Sequence, residues 1–419
     1  MSRSQLSGRY DHLDGLRGIA ALIVVLHHCI DMFDLAITTG NPDHAYGRLD
    51  TLISGLPFLI LDAGNFSVCI FFALSGFVLT MAFSRSRLGA IGLATKRYVR
   101  LALPILATCI GSYVLLLCGA YRNASVATFT RSDWAATQFL QPPHLLSAVT
   151  EGLFRDLIFQ APGSQSYNST LWTMQIEFAG SLFLIAIIAC LKRLNPEPDR
   201  LRARGLIVFT SAAVLLFYTY LMPFCIGAAF HLARGGASMP ASMARRSAAR
   251  GMVYAALGAV ALFLGTIPYS SQPSFAVELF AHVPVVLSSA YPLSLIDAQA
   301  FWHVIGAAGV LFIVQTTGFW RRALSHRACR FLGDISFPLY LVHVPILCSA
   351  GAATYLAVHT SGNALVAILA AAVTTLMLSL SVSALATRAI EGPAIALSDR
   401  AGRTADAVVR RIRHASRSP

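Results

Sequence analysis

Charge is scarce in this chain: only 12% of its 419 residues are Asp, Glu, Lys or Arg, against roughly 25% in soluble domains. That deficit excludes an ordinary soluble globular protein. Disorder is excluded by the opposite measure, since 56% of the residues are hydrophobic and offer ample surface to bury. The eight cysteines (Cys29, Cys69, Cys109, Cys118, Cys190, Cys225, Cys329 and Cys348) contain no CxxC pair or other metal-ligand spacing. They read as free thiols in apolar surroundings, and no metal site is expected. No cleavable leader is expected either, because Met1–Asp14 is polar and mixed in charge and no small-residue cleavage site follows the next apolar run. That run reads as a first anchor helix. No internal repeat of the kind that marks many transporters is found.

What the chain does have is a series of apolar runs, near Gly18–Leu35, Gly64–Phe83, Leu101–Ala120, Leu171–Leu191, Met252–Ile267, Phe301–Phe319, Ile335–Val358 and Leu365–Ala386. Each is close to the ~20 residues that a bilayer core requires. The net charge of +13 falls between these runs and not on the face of a soluble domain, which removes nucleic acid as a partner. Basic residues cluster at Arg85–Arg100, Lys192–Arg204, Arg234–Arg250, Arg321–Arg330 and from Arg388 onward. With Arg3, Arg9 and Arg17, all but four of the 32 Lys and Arg residues then lie on one side, the exceptions being Arg48, Arg122, Arg131 and Arg155. By the positive-inside rule that side is cytoplasmic.

The stretch Leu206–Leu232 is too long for one span and short for two. Basic clusters at both of its ends must share a side, so it is expected to cross twice as a hairpin broken at Pro223. The expected fold is all-α and polytopic, with about ten transmembrane helices and both termini cytoplasmic. Residues 1–393 form a membrane domain, followed by a basic tail, 394–419, suited to an anionic leaflet. The long segments Asn123–Thr170 and Pro268–Ala300, rich in Pro, Gly and Ser, are expected to cover the outer mouth or lie in the interface.

Polar groups within membrane spans are expensive and mark function by default, and the first helix holds Asp14, Arg17, His27, His28, Asp31 and Asp34. From Arg17 to His28 is eleven steps, which returns to within about 20° of the same face after a rise of roughly 16 Å. His28 therefore stands above Arg17, halfway into the bilayer, while His27 points about 80° away and is expected only to pack. A neutral imidazole at that depth can act as a general base.

Several segments together resemble the membrane-bound acyltransferase-3 family of O-acyltransferases. They are LDGLRGIAALIVVLHH (Leu13–His28), FFALSGFVLT (Phe71–Thr80), KRYVRLALP (Lys96–Pro104), LWTMQIEF (Leu171–Phe178), LGDISFPLYLVHVP (Leu332–Pro345) and IEGP (Ile390–Pro393). Their order and spacing cover nearly the whole chain. Two departures, Phe178-Ala179-Gly180 after the acidic residue and valines at 342 and 344 beside the later His, bear on the shape of the acceptor or acyl pocket.

The resemblance implies an acyl-CoA donor, most simply acetyl-CoA, and an O-acetyltransferase acting on a hydroxyl of a lipid-linked or exported carbohydrate. It places the chain in a membrane of the bacterial inner-membrane type. Coenzyme A carries several phosphates, which suit Arg and Lys at a cytoplasmic mouth; Lys96, Arg97 and Arg100 are the expected donor-binding residues. His28, Arg17 and Glu177 are the expected catalytic ones, with His28 taking the acceptor's proton or itself carrying the acyl group. His343, Ser75 and Gly76 are expected to serve helix packing, and Asp14 to pair with Arg17. The competing class is a polytopic transporter in which Arg, His and Glu form a proton relay.

Overall fold

A computed structural model describes residues 10–54, 56, 58–158, 166–194, 197–217, 219–234, 248–268, 298–360 and 362–415. Its long helices, numbered here in chain order, are α1 (Asp11–Phe33), α2 (Gly64–Arg85), α3 (Ala90–Leu117), α4 (Trp172–Leu194), α5 (Pro198–Leu215) and α6 (Met222–Arg234). They continue as α7 (Ala248–Gly265), α8 (Ala298–Thr316), α9 (Arg327–Ile346), α10 (Ala364–Ala386) and α11 (Gly392–Ala415). No strand occurs among the described residues, so the chain is an all-α polytopic membrane protein.

Among the described residues, seven helical stretches are individually long and apolar enough to cross a bilayer. The other three of the expected ten fall short alone. Helix α5 opens with Asp199, Arg200, Arg202 and Arg204, α6 has 13 residues, and α7 is a short apolar helix. Leu206–Leu232 folds as two antiparallel helices, with Gly205 of α5 against the Leu232 side chain of α6. The break comes at 216–221, and Pro223 sits inside the first turn of α6, where its missing N–H costs nothing.

The position of the site depends on two close crossings. A Cβ at Gly18 of α1 would lie 2.4 Å from the Gly333 backbone nitrogen of α9, so these helices touch backbone to backbone, a contact that small residues permit. Likewise Gly76 of α2 abuts the Phe224 carbonyl of α6, and Phe72 stacks on the Phe224 ring with centroids 5.2 Å apart. The role expected of Gly76 is thus met, while Ser75 does something else.

The segment after α3 covers one end of the bundle. Its short helices Asn123–Thr130 and Asp133–Thr137 bring the Ser132 hydroxyl to the Asp31 carbonyl (2.6 Å) and set Trp134 against His28 (ring centroids 5.3 Å). Farther along, Asn168 donates to the Leu341 carbonyl of α9 at 2.6 Å. The second expected outer segment, Pro268–Ala300, lies almost wholly outside the described residues. At the opposite, basic end, a π-turn (Thr387–Glu391) carries α10 into α11. Helix α11 buries Ala394, Ser398, Gly402 and Asp406, one residue every four, against the start of α3.

Candidate active site

Helices α1 and α9 run parallel and are joined by two polar rungs. In the lower rung, Arg17 donates from Nε to the Ser336 hydroxyl (2.9 Å) and from its terminal nitrogen to the Gly333 carbonyl (3.1 Å), and it pairs with Asp14 at 3.2 Å. In the upper rung, His28 and His343 approach to 3.3 Å with ring centroids 5.0 Å apart. Spacing explains both. Arg17 and His28 share a face of α1, and Ser336, Tyr340 and His343 stand at i, i+4 and i+7 on one face of α9.

Backbone carbonyls assign the tautomers of the two imidazoles. The Val24 carbonyl accepts from His28 Nδ1 at 2.9 Å, and the Leu339 carbonyl accepts from His343 Nδ1 at 3.1 Å. His343 Nε2 is then a bare acceptor facing the same His28 N–H. What remains on His28 is Nε2 with its lone pair, the nitrogen that can take a proton.

Beside the lower rung lies a cavity of about 130 Å³, lined by Arg17, Ser75, Arg97, Arg100, Glu177 and Ser336 and roofed by Tyr340. Arg97 of α3 forms an ion pair with Glu177 of α4, and its Nε donates to the Ser181 hydroxyl at 2.8 Å. The Ser75 hydroxyl of α2 donates to the same Glu177 oxygen at 2.8 Å. Both charged side chains are about nine-tenths buried, so each depends on the other for compensation. Tyr340 receives a hydrogen bond from Thr173 (2.9 Å) and passes one to the Thr170 carbonyl (3.2 Å). Its ring lies 5.8 Å from that of His343. Tyr340 and His343 thus stand between the cavity and His28. A second, largely apolar cavity of about 320 Å³ lies between α3, α9 and α10, and Glu391 borders both.

Of the six residues singled out from sequence, Arg17, Arg97, Arg100 and Glu177 share the lower cavity. His28 stands above it. Lys96 turns away and pairs with Asp399 of α11 at 2.5 Å. His27 is more than a packing residue: its Nδ1 meets Asp62 at 2.8 Å and its Nε2 meets Asp31 at 3.2 Å, with Thr38 donating to both carboxylates. The three side chains are close enough to suggest a metal cluster, but each carboxylate takes a different ring nitrogen. That geometry suits a doubly protonated ring held between two aspartates. Sequence reasoning gave Ser75 and His343 only packing roles and did not assign roles to Ser181 and Tyr340; the i, i+4, i+7 pattern in α9 was the signal for Tyr340 and His343.

An acyltransferase-domain family model, acyltransferase-3, matches residues 10–384. The O-acetyltransferase PaAT-1 of Phomopsis amygdali is 25% identical over 390 residues, covering 81% of this chain and 72% of the relative. Acyltransferase R4 of Phoma sp. is 22% identical over 396 residues, 81% of this chain and 83% of the relative. No solved structure gives a significant match.

Proposed function

Because the chain belongs to the acyltransferase-3 family and is a multi-pass membrane O-acyltransferase, we propose that it moves an acetyl group from acetyl-CoA to a carbohydrate hydroxyl. The acceptor is lipid-linked or exported, and the donor comes from the basic side of the membrane. The acetyl assignment is supported by the name of the Phomopsis relative. The bacterial inner membrane remains part of the proposal, although both relatives are fungal; the chemistry needs only a membrane whose basic face meets an acyl-CoA pool. The exposed Arg400, Arg403, Arg410 and Arg411 of α11 suit an anionic leaflet on that face.

The observation that carries the reading is the upper rung, where the two imidazoles meet with His28 Nδ1 committed to the Val24 carbonyl and His343, leaving Nε2 as the nitrogen able to act as base. His28 Nε2 removes the proton of the acceptor hydroxyl as that oxygen attacks the thioester carbonyl carbon. The tetrahedral intermediate collapses, the carbon–sulfur bond breaks, and the departing thiolate takes the proton back from His28. His343 accepts from Nδ1–H and so steadies the ring through the charged stage. Arg100 and Arg17 face the cavity as cations for the donor, whereas Arg97 holds Glu177 in place and is less available to phosphate.

The test is a pair of variants. His28→Ala should lower transfer by at least about two orders of magnitude, the value of a positioned base, with its melting temperature in detergent unchanged. His27→Ala should chiefly lower the melting temperature, because it leaves Asp31 and Asp62 facing each other without their cation. A His28→Ala enzyme of near-normal rate would remove the general-base role.

A further inference from the structure

Away from the cavity, three ligating side chains converge where the segment after α3 folds back on that helix. Cys109 of α3, Glu151 and Asp156 each bring a ligand atom within 4.8 Å of the others, and all three are buried. The Cys109 Sγ lies 3.6 Å from Asp156 Oδ2. With Zn–S near 2.3 Å, Zn–O near 2.0 Å and a tetrahedral angle, sulfur and oxygen ligands of one zinc stand about 3.5 Å apart.

The two carboxylates are unequally provided for. Glu151 Oε1 accepts from the Ser166 hydroxyl (2.6 Å) and the Tyr167 backbone N–H (2.5 Å). Asp156 is 0% exposed, and its Oδ1 has no hydrogen-bond partner, an omission that is costly for a buried acceptor. Its carboxylate is turned toward the thiol through Oδ2, so the unpartnered Oδ1 sits on the same buried group. The nearby charge of Arg155 sits on an exposed side chain. Among the described residues, this buried group of two carboxylates and a thiol therefore has no buried cation beside it.

The backbone here is unusual as well. Residues Glu151–Arg155 form a π-turn in which the Asp156 N–H reaches the Glu151 carbonyl. On an α-helix two residues five apart would be turned about 140° from each other; the wider π-turn brings both carboxylates to one side. Close approach is secured by Gly152, where a Cβ would lie 2.7 Å from the Leu106 Cα of α3.

We propose that Cys109, Glu151 and Asp156 bind a divalent transition-metal cation, zinc by ligand type, which clamps the segment after α3 to that helix. A thiolate among the ligands disfavours magnesium and calcium, which take oxygen. Three protein ligands leave one position for water. The cation satisfies the orphaned oxygen and neutralises most of the ligand charge. Burial, with Glu151 alongside, pushes Asp156 up to about 8, so a proton is the natural competitor for this site. Spacing could not have announced it, because the ligands are 42 and 5 residues apart and meet only through the fold.

The full chain, purified in detergent without a polyhistidine tag, is assayed for bound metal and then titrated with Co²⁺. The expected result is about one zinc per chain and a thiolate-to-cobalt charge-transfer band that disappears in Cys109→Ser. Asp156→Asn, nearly isosteric, should weaken cobalt binding by at least about tenfold, the lower limit for losing even a supporting residue. A wild-type protein with no zinc and no cobalt band overturns the proposal and leaves a shared proton as the occupant. A band that persists in Cys109→Ser also overturns it, by placing the metal elsewhere.

Discussion

Removing one member of the buried Arg97–Glu177 pair strands the other, which typically costs about 3–5 kcal/mol. Arg97→Ala and Glu177→Gln should each lower the melting temperature and the transfer rate, while the double variant Arg97→Leu/Glu177→Gln should melt higher than either. Thermal denaturation in detergent measures this. Arg100→Ala should behave differently, with a raised KM for acetyl-CoA, partial rescue at high donor and normal melting. The contrast shows what residue patterns can tell. Arg17 and His28 were legible because an eleven-residue interval fixes a helical phase, and both sit where that phase puts them. The partners of Arg97 and Lys96, Glu177 and Asp399, were not, since an ion pair across 80 or 303 positions is decided by tertiary packing. In a basic cluster, neighbouring cations look alike until the fold gives each a different partner.

At the level of elements, helix existence was legible and helix ends were not. The apolar runs locate membrane crossings, yet α3 begins at Ala90, α1 at Asp11 and α9 at Arg327. The first turns of α1 and α9 are charged, and α3 runs through Ala90–Leu93 before its basic turn at Lys96–Arg100, so helical hydrogen bonding extends beyond the apolar runs. The α1–α9 crossing is the most demanding contact. Gly18→Val would set side-chain carbons against the Gly333 backbone, separating both rungs, so transfer should fall about as far as in His28→Ala while α-helical circular dichroism persists. Asp34, just beyond α1, gives a pH test. Burial first, and then Asp50, raise its carboxyl from 3.8 up to about 7. The folded protein therefore keeps a proton that the unfolded chain has lost, and this contribution to stability, full below pH 3.8, fades as pH rises toward about 7. Across that window wild type should lose melting temperature relative to Asp34→Asn, which has no such proton; parallel profiles would contradict the assignment.

The class of the whole molecule could be read from how little charge it has and where that charge falls, because a bilayer excludes ions whatever the details of packing. The hairpin expected at Leu206–Leu232 came from charge symmetry; the chain does turn back there between α5 and α6, although neither helix alone is among those long and apolar enough to cross a bilayer. The tail was harder to read. Its basic composition suggested a surface segment, whereas its small residues every fourth position dock it on α3 beside the candidate donor residues. The chemistry separates the whole-molecule alternatives, since a proton-relay transporter needs a gradient and an acyltransferase does not. The direct measurement uses the purified protein in detergent with radiolabelled acetyl-CoA and a lipid extract of its native membranes as acceptor. Acetyl label should pass into the extract as a base-labile ester, with free CoA released in equal amount. Unreacted label and no CoA release, from protein that remains folded and monodisperse, would contradict the assignment.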